Sequence, residues 1–327
     1  MAAPPPEATY GFVGIGVMGY GMATNLRAKI PKSSNFVLCE INEARRNQFV
    51  EQASNSGPIK VVSCPREVAE LADIIVTMLP KAPHVEEVFN NPETGLLSIS
   101  KTTTPKFFLE CSSINTASST ALAATVEESG IGHFIDAPVS GGPAGSDSGT
   151  LTFMVGGPKE LFDQAHPILS MMGKSDAIYH CGGPGAGLAT KQLNNYLAYC
   201  GYLGLCEVMS AGTKYGLDPK TLSDVLNKSS GMTWNTLNHN PVKGVNPKSS
   251  ASNDFKPGFT TELAAGVISD AVALMDQVGS QTALAPVVKS VFDRALQSKK
   301  CKGMEARSVW RMFVEDDGVE LEGLLGT

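Results

Sequence analysis

The chain has 327 residues, 18% of them charged and 42% hydrophobic, enough for two domains that each bury a core. Its 26 basic and 32 acidic residues leave a net charge of −6, so neither nucleic acid nor an anionic membrane is an expected partner. The seven cysteines are scattered without a CxxC pair and read as buried thiols, the five histidines lack metal-ligand spacing, and no apolar run reaches the length of a spanning helix.

Residues 1–9 form neither an apolar signal core nor an arginine-rich presequence. Residues 10–15 read as a buried strand that runs into Gly14-x-Gly16-x-x-Gly19 and a helical pattern through Leu26. Glycines so spaced allow a tight turn, a close approach of backbone to a pyrophosphate, and close strand–helix packing, while the helix start offers free N–H groups to phosphate. Val17 and Met18 lie within that turn and join the three glycines as predicted cofactor contacts. A second strand over 35–39 ends at Glu40, about 20 residues past the last glycine, where a carboxylate accepts hydrogen bonds from an adenosine ribose and repels a 2′-phosphate. NAD is therefore the expected cofactor. Arg45 and Arg46 could instead hold that phosphate, but read more simply as exposed residues of the next helix.

The alternation of strand and helix continues: strands over 59–62, 73–79 and 106–110, and a helix over 65–71. Ligands of open α/β sheets gather at the carboxyl ends of strands, which makes Leu79, Pro80 and Ser113 further cofactor candidates. Ser140-Gly141-Gly142 offers a hydroxyl and unhindered N–H groups, a nest for a carboxylate if it is not simply a surface loop. Strands over 150–155 and 177–180 flank a helix over 159–171.

After the cluster at 182–187 the pattern turns wholly helical, first over 188–214. Gly187, Lys191 and Asn195 fall at i, i+4 and i+8 and share one helix face, so an ammonium and a carboxamide one turn apart can reach one substrate. This stretch reads as the hinge between a dinucleotide-binding domain over 1–183 and an all-α domain over 184–327, and as the carrier of the catalytic base. The plain alternative is a solvated helix lysine. Gly201, Gly204 and Gly212 suggest close helix packing, Asp218-Pro219 a helix start, and further helices are expected over 261–278, 283–297 and 304–313. The acidic stretch 315–317 reads as a solvated tail without function.

Taken together, GFVGIGVMGYGMATNL, IDAPVSGGPAGSDSGTLTFMVGG and GPGAGLATKQLNN resemble the β-hydroxyacid dehydrogenase family, and SSGMTWNTLNHNPVKG resembles its branch acting on 3-hydroxyisobutyrate. The likeness runs from about Tyr10 to Arg294. It implies a Rossmann-type doubly wound sheet domain followed by an all-α domain joined through a long helix, assembly into homodimers or homotetramers, and an NAD-dependent, metal-free oxidation of a small 3-hydroxy acid. It further implies that Lys191 is catalytic with Asn195 beside it, that Ser140, Gly141 and Gly142 hold the substrate carboxylate, and that Trp234 and Phe259 lie on the substrate side. By the same resemblance the location is mitochondrial, although no transit peptide is visible and a cytoplasmic location is open.

The resemblance breaks at one place. Relatives carry a lysine–aspartate pair seven and eight residues after the phenylalanine matching Phe259, where this chain has Gly266 and Val267. An altered substrate preference is expected, while an NADPH-dependent semialdehyde or imine reductase and a catalytically impaired dinucleotide-binding paralogue are competing readings.

Overall fold

The computed structural model describes residues 7–101, 103–256 and 258–314 and divides into two compact units, Met1–Lys191 and Gln192–Thr327. Nine strands form the sheet of the first unit: β1 Tyr10–Val13, β2 Phe36–Cys39, β3 Ile59–Val62, β4 Ile74–Thr77, β5 Lys106–Glu110, β6 Gly132–Asp136, β7 Val139–Ser140, β8 Leu151–Gly156 and β9 Gly173–Gly182. The first six are parallel in the order β3-β2-β1-β4-β5-β6; β8 then pairs antiparallel with β6 and β7, and β9 runs parallel to β8. Strands β1, β2, β4 and β5 are buried at every residue, as expected when both faces of a parallel sheet are covered by helices.

Alternate residues feed two cores. Phe12, Phe36, Leu38, Phe107 and Leu109 enter one with Met22 and Leu26; Val13, Val37, Ile75 and Phe108 enter the other with Val68, Phe89 and Val126. This period of two puts a helical layer on each side of a single sheet, which leaves the strand ends open to a ligand. The doubly wound architecture expected from the sequence is the one observed.

Three local expectations need correction. Gly142–Ser148, read as a loop, is a short helix, and Thr116–Ser129 is a helix that the pattern did not disclose, its N-terminus capped by Asn115. Of Gly201, Gly204 and Gly212, Gly212 is the tightly packed one, since a Cβ there would come within 2.4 Å of Leu222; at Gly201 it would meet Asn235 at 3.7 Å, and at Gly204 no atom of the described residues within 4 Å. Residues 304–313 do not form one α-helix. Glu305 bridges to Thr260 and turns its carboxylate onto the Arg307 N–H, which tightens Ala306–Trp310 into a 3-10 turn before Arg311–Val314. The stretch 315–317 lies outside the described residues.

The second unit is helical. Pro219–Leu226 starts on Asp218, whose carboxylate accepts the Thr221 N–H at 2.8 Å, and Trp234–Asn238 starts on a reciprocal Thr233–Thr236 capping box. Its core gathers Tyr199, Tyr202, Cys206, Ile268, Phe292 and Val309. The helix Ala186–Tyr215 is unbroken over 30 residues.

Candidate dinucleotide and substrate site

The glycine turn sits between β1 and the helix Gly19–Lys29, and each glycine has its own reason for being there. Gly14 has φ +89°, and a Cβ on it would lie 2.6 Å from the Met78 carbonyl oxygen. A Cβ on Gly19 would lie 2.1 Å from the Gly14 oxygen, so the strand and helix can approach only without side chains. Gly16 differs: among the described residues no atom lies within 4 Å of the position its Cβ would take. That open place, flanked by Val17 at 67% exposure, is where a ligand backbone can come close. The Gly19–Lys29 helix has no side-chain cap and no acidic residue in its first turn, so its leading amides suit a pyrophosphate.

Glu40, just past β2, turns back on this loop and accepts the Ile15 N–H and the Asn42 N–H, each at 2.7 Å. Arg45 and Arg46 are not the freely solvated side chains expected. Arg45 donates to the Ile15 and Gly16 carbonyls and lies 5.1 Å above the Tyr20 ring, while Arg46 donates to the Glu40 carbonyl. Sequence reasoning also missed Ile41, an apolar side chain 98% exposed directly after Glu40. An isoleucine interrupting a polar strand end was the available signal.

At the neighbouring strand ends the Leu79 N–H donates to Ser112 at 2.8 Å. Pro80 and Ser113 are exposed, and Ser112 is the buried serine of the pair. Register aligns Thr77, Glu110 and Asp136 in one row across β4, β5 and β6. Burial pushes the Glu110 carboxyl up to about 7, and its Oε2 has no hydrogen-bond partner among the described residues. Asp136 is also raised by burial, against backbone amides that hold it down.

Ser140 closes β7, and Gly141 and Gly142, with φ +140° and +63°, turn the chain into the helix Gly142–Ser148. That helix docks on Gly19–Lys29: the Asn25 amide donates to the carbonyls of Ser146 at 3.0 Å and Asp147 at 3.1 Å. A Cβ on Gly21 would come within 2.6 Å of the Ser146 hydroxyl. The two glycine-rich turns of this unit are thus tied together through the helices that follow them.

Lys191 occupies the second turn of Ala186–Tyr215 and is 9% exposed. Burial lowers its ammonium from 10.5 to about 8, which makes the neutral amine available near physiological pH. Asn195 follows one turn later on the same helix and is half-buried.

In the second unit Trp234 is 59% exposed, with the His239 ring 4.7 Å away and the Arg307 guanidinium 5.7 Å from its own ring. Burial drives His239 down to about 3, so it is neutral. Arg307, which sequence reasoning passed over, pairs with Glu305 at 2.7 Å and also faces Tyr202. Phe259 is 36% exposed. Gly266 is exposed on the helix Thr261–Gln277, and no atom of the described residues lies within 4 Å of its would-be Cβ.

The chain is similar to known proteins over most of its length. The family profile described as the NAD binding domain of 6-phosphogluconate dehydrogenase matches residues 9–183. The profile described as the NAD-binding of NADP-dependent 3-hydroxyisobutyrate dehydrogenase matches residues 185–311. The mitochondrial 3-hydroxyisobutyrate dehydrogenase of Rattus norvegicus is 34% identical over 94% of this chain and 87% of its own. The 3-hydroxyisobutyrate dehydrogenase of Pseudomonas aeruginosa is 32% identical over 92% of this chain and 97% of its own. The solved structure of the Mycobacterium tuberculosis 3-hydroxyisobutyrate dehydrogenase with L-serine superposes with a TM-score of 0.79 at 29% identity, covering 94% of this chain and 99% of that one. The chain therefore belongs to the 3-hydroxyisobutyrate dehydrogenase family, oxidoreductases whose amino-terminal part is an NAD(P)-binding Rossmann domain.

Proposed function

We propose that the protein is an NAD-dependent dehydrogenase that oxidises 3-hydroxyisobutyrate, or a closely related small 3-hydroxy acid, to its semialdehyde, with Lys191 as the proton acceptor. The observation that carries the reading is a buried lysine whose amine titrates at about 8, on the helix that follows the dinucleotide-binding sheet. Bound along the glycine turn, an oxidised nicotinamide supplies the acceptor for a hydride. Lys191 takes the hydroxyl proton as the C–H electron pair departs and the C=O bond forms. In reduction its protonated form polarises the carbonyl and returns the proton. Asn195 orients the hydroxyl, Ser140, Gly141 and Gly142 hold the carboxylate, and Trp234 and Phe259 line the substrate side. Gly14, Gly16, Val17, Met18, Gly19, Glu40, Leu79, Pro80 and Ser113 hold the cofactor.

Two assays test this. Cofactor absorbance should rise with 3-hydroxyisobutyrate and NAD, and far less with NADP; no turnover of any small 3-hydroxy acid with either cofactor would end the reading.

Gly266 and Val267 bear on substrate preference. At Gly266 an added Cβ would meet no atom of the described residues within 4 Å, so a side chain can start there without a clash. Gly266→Lys with Val267→Asp should restore an ionic contact and raise kcat/KM for 3-hydroxyisobutyrate about tenfold, the equivalent of ~1.4 kcal/mol. Unchanged kinetics across a panel of 3-hydroxy acids would strip the departure of catalytic meaning.

A homo-oligomer is part of the proposal. Leu193, Leu197, Val208 and Tyr215 are 42%, 71%, 43% and 85% exposed and fall on one stripe of the Ala186–Tyr215 helix, opposite Lys191 and Asn195. Sedimentation equilibrium should give two or four times 34.4 kDa; a monomer mass at micromolar concentration rejects the assembly. The relatives include both mitochondrial and bacterial enzymes, and the mitochondrion is the compartment we propose.

A further inference from the structure

We propose that Asp136 is the positioning residue of the candidate base: its carboxylate clamps the first turn of the Ala186–Tyr215 helix to the end of β6 and so sets where Lys191 stands. The inference rests on the reading of Lys191 as the base. Asp136 ends β6, is fully buried, and uses both of its oxygens. Oδ1 accepts the Gly185 N–H at 2.8 Å and Oδ2 accepts the Leu188 N–H at 2.9 Å. Amides at a helix start have no carbonyl one turn earlier to receive them, so this carboxylate supplies acceptors that the helix lacks. A negative charge is also favoured there by the helix dipole.

Two bonds to one planar group fix orientation as well as distance. The glycines around the group make the fit tight. A Cβ on Gly156 would lie 2.3 Å from Oδ1, and one on Gly187 would lie 2.7 Å from Oδ2 and 2.3 Å from the Met154 carbonyl. The helix start therefore rests directly on the strand ends, with Lys191 three residues beyond the last anchored amide. A shift of the clamp moves the amine with it, because nothing flexible intervenes between Leu188 and Lys191. Glu110, opposite Asp136 in the register, accepts the Ser112 N–H at 2.9 Å and does not share the helix amides.

The experiment is Asp136→Asn, which keeps shape but turns one acceptor into a donor facing an N–H. Expected are a kcat for oxidation lower by about 10- to 100-fold, as befits a reacting group displaced by a fraction of an ångström, and a KM for the dinucleotide changed less than about twofold, since the Gly14–Gly19 turn is untouched. A loosened helix start also admits water to Lys191, so the pH at half-maximal oxidation should climb from about 8 toward 10.5. A loss of activity that only tracks the folded fraction, with the pH profile unmoved, overturns the proposal. If the variant does not fold, amide exchange in the unaltered protein decides. Gly185 and Leu188 should exchange as slowly as the amides of β6; exchange at the rate of exposed helix-start amides overturns the clamp. Turnover surviving Lys191→Ala would instead refute the base and leave the exchange result standing.

Discussion

Lys191→Met should lower kcat for 3-hydroxy-acid oxidation by about 10³-fold, within the range by which positioned general bases accelerate proton transfer. Dinucleotide affinity, read by fluorescence titration, should change less than about twofold, because the glycine turn and Glu40 are untouched. The unaltered enzyme should carry the signature of the same amine in its pH profile. Oxidation needs the neutral form and should rise with pH to a plateau above about 8, whereas reduction needs the protonated form and should fall above about 8. A Met variant retaining a tenth of the turnover, or an oxidation rate flat between pH 6 and 9, would remove Lys191 from the mechanism.

The same substitution should make the protein more stable. An amine that titrates at 10.5 when exposed and at about 8 in the fold has its charged form disfavoured by burial. Between those values the unfolded chain binds the proton and the folded one does not, so stability rises with pH through that window and the cost is complete below about 8. At neutral pH that cost is about 3 kcal/mol, which Met removes in part; a rise in Tm of roughly 5 °C at pH 7 is expected, shrinking toward pH 10.5. Loss of activity together with a gain in stability is what a functional buried charge predicts and a structural one does not.

How far the sequence disclosed this arrangement depended on whether a signal was periodic or positional. Apolar runs such as those at β1 and β4 announced buried parallel strands, and the spacing of Gly14, Gly16 and Gly19 announced the turn, where sterics at a tight crossing exclude side chains at Gly14 and Gly19. Lys191 was legible as an i+4 partner of Gly187 and Asn195. Its burial was not, since burial comes from the packing of the whole chain. Helix Gly142–Ser148 stayed hidden because Gly, Pro and Ser carry weak helix propensity, and it is held by docking on Gly19–Lys29. Asp136 and Glu110 stand in plain view as acids ending apolar strands. What escapes the sequence is that one faces two helix amides and the other faces none on its Oε2. Arg45 and Arg46 misled for the opposite reason: adjacent basic residues on a surface helix are usually solvated, yet here carbonyls of the turn hold Arg45 and the Glu40 carbonyl holds Arg46.

Glu40→Ala should lower the preference for NAD over NADP, taken as the ratio of kcat/KM values, by about 100-fold. Each carboxylate oxygen already receives one backbone N–H, yet each has a second lone pair directed elsewhere, which suffices for the ribose hydroxyls. Losing a charged acceptor costs NAD about 1.5–3 kcal/mol. For NADP the same change removes repulsion of the 2′-phosphate, about 1 kcal/mol at a solvated distance of ~4 Å. Arg45 and Arg46 stay beside the turn as cations that the phosphate can use. Alanine also deletes the acceptor for the Ile15 N–H, so a collapsed turn could imitate a change in selectivity. Glu40→Gln separates the two effects, since it retains an acceptor and nearly the same shape while discarding the charge. If charge sets the preference, Gln and Ala shift the ratio together; if turn geometry sets it, only Ala does. Both variants leaving the ratio within threefold of the parent, or a parent enzyme that favours NADP, would mean that Glu40 serves the turn alone and that the basic pair beside it reads the cofactor.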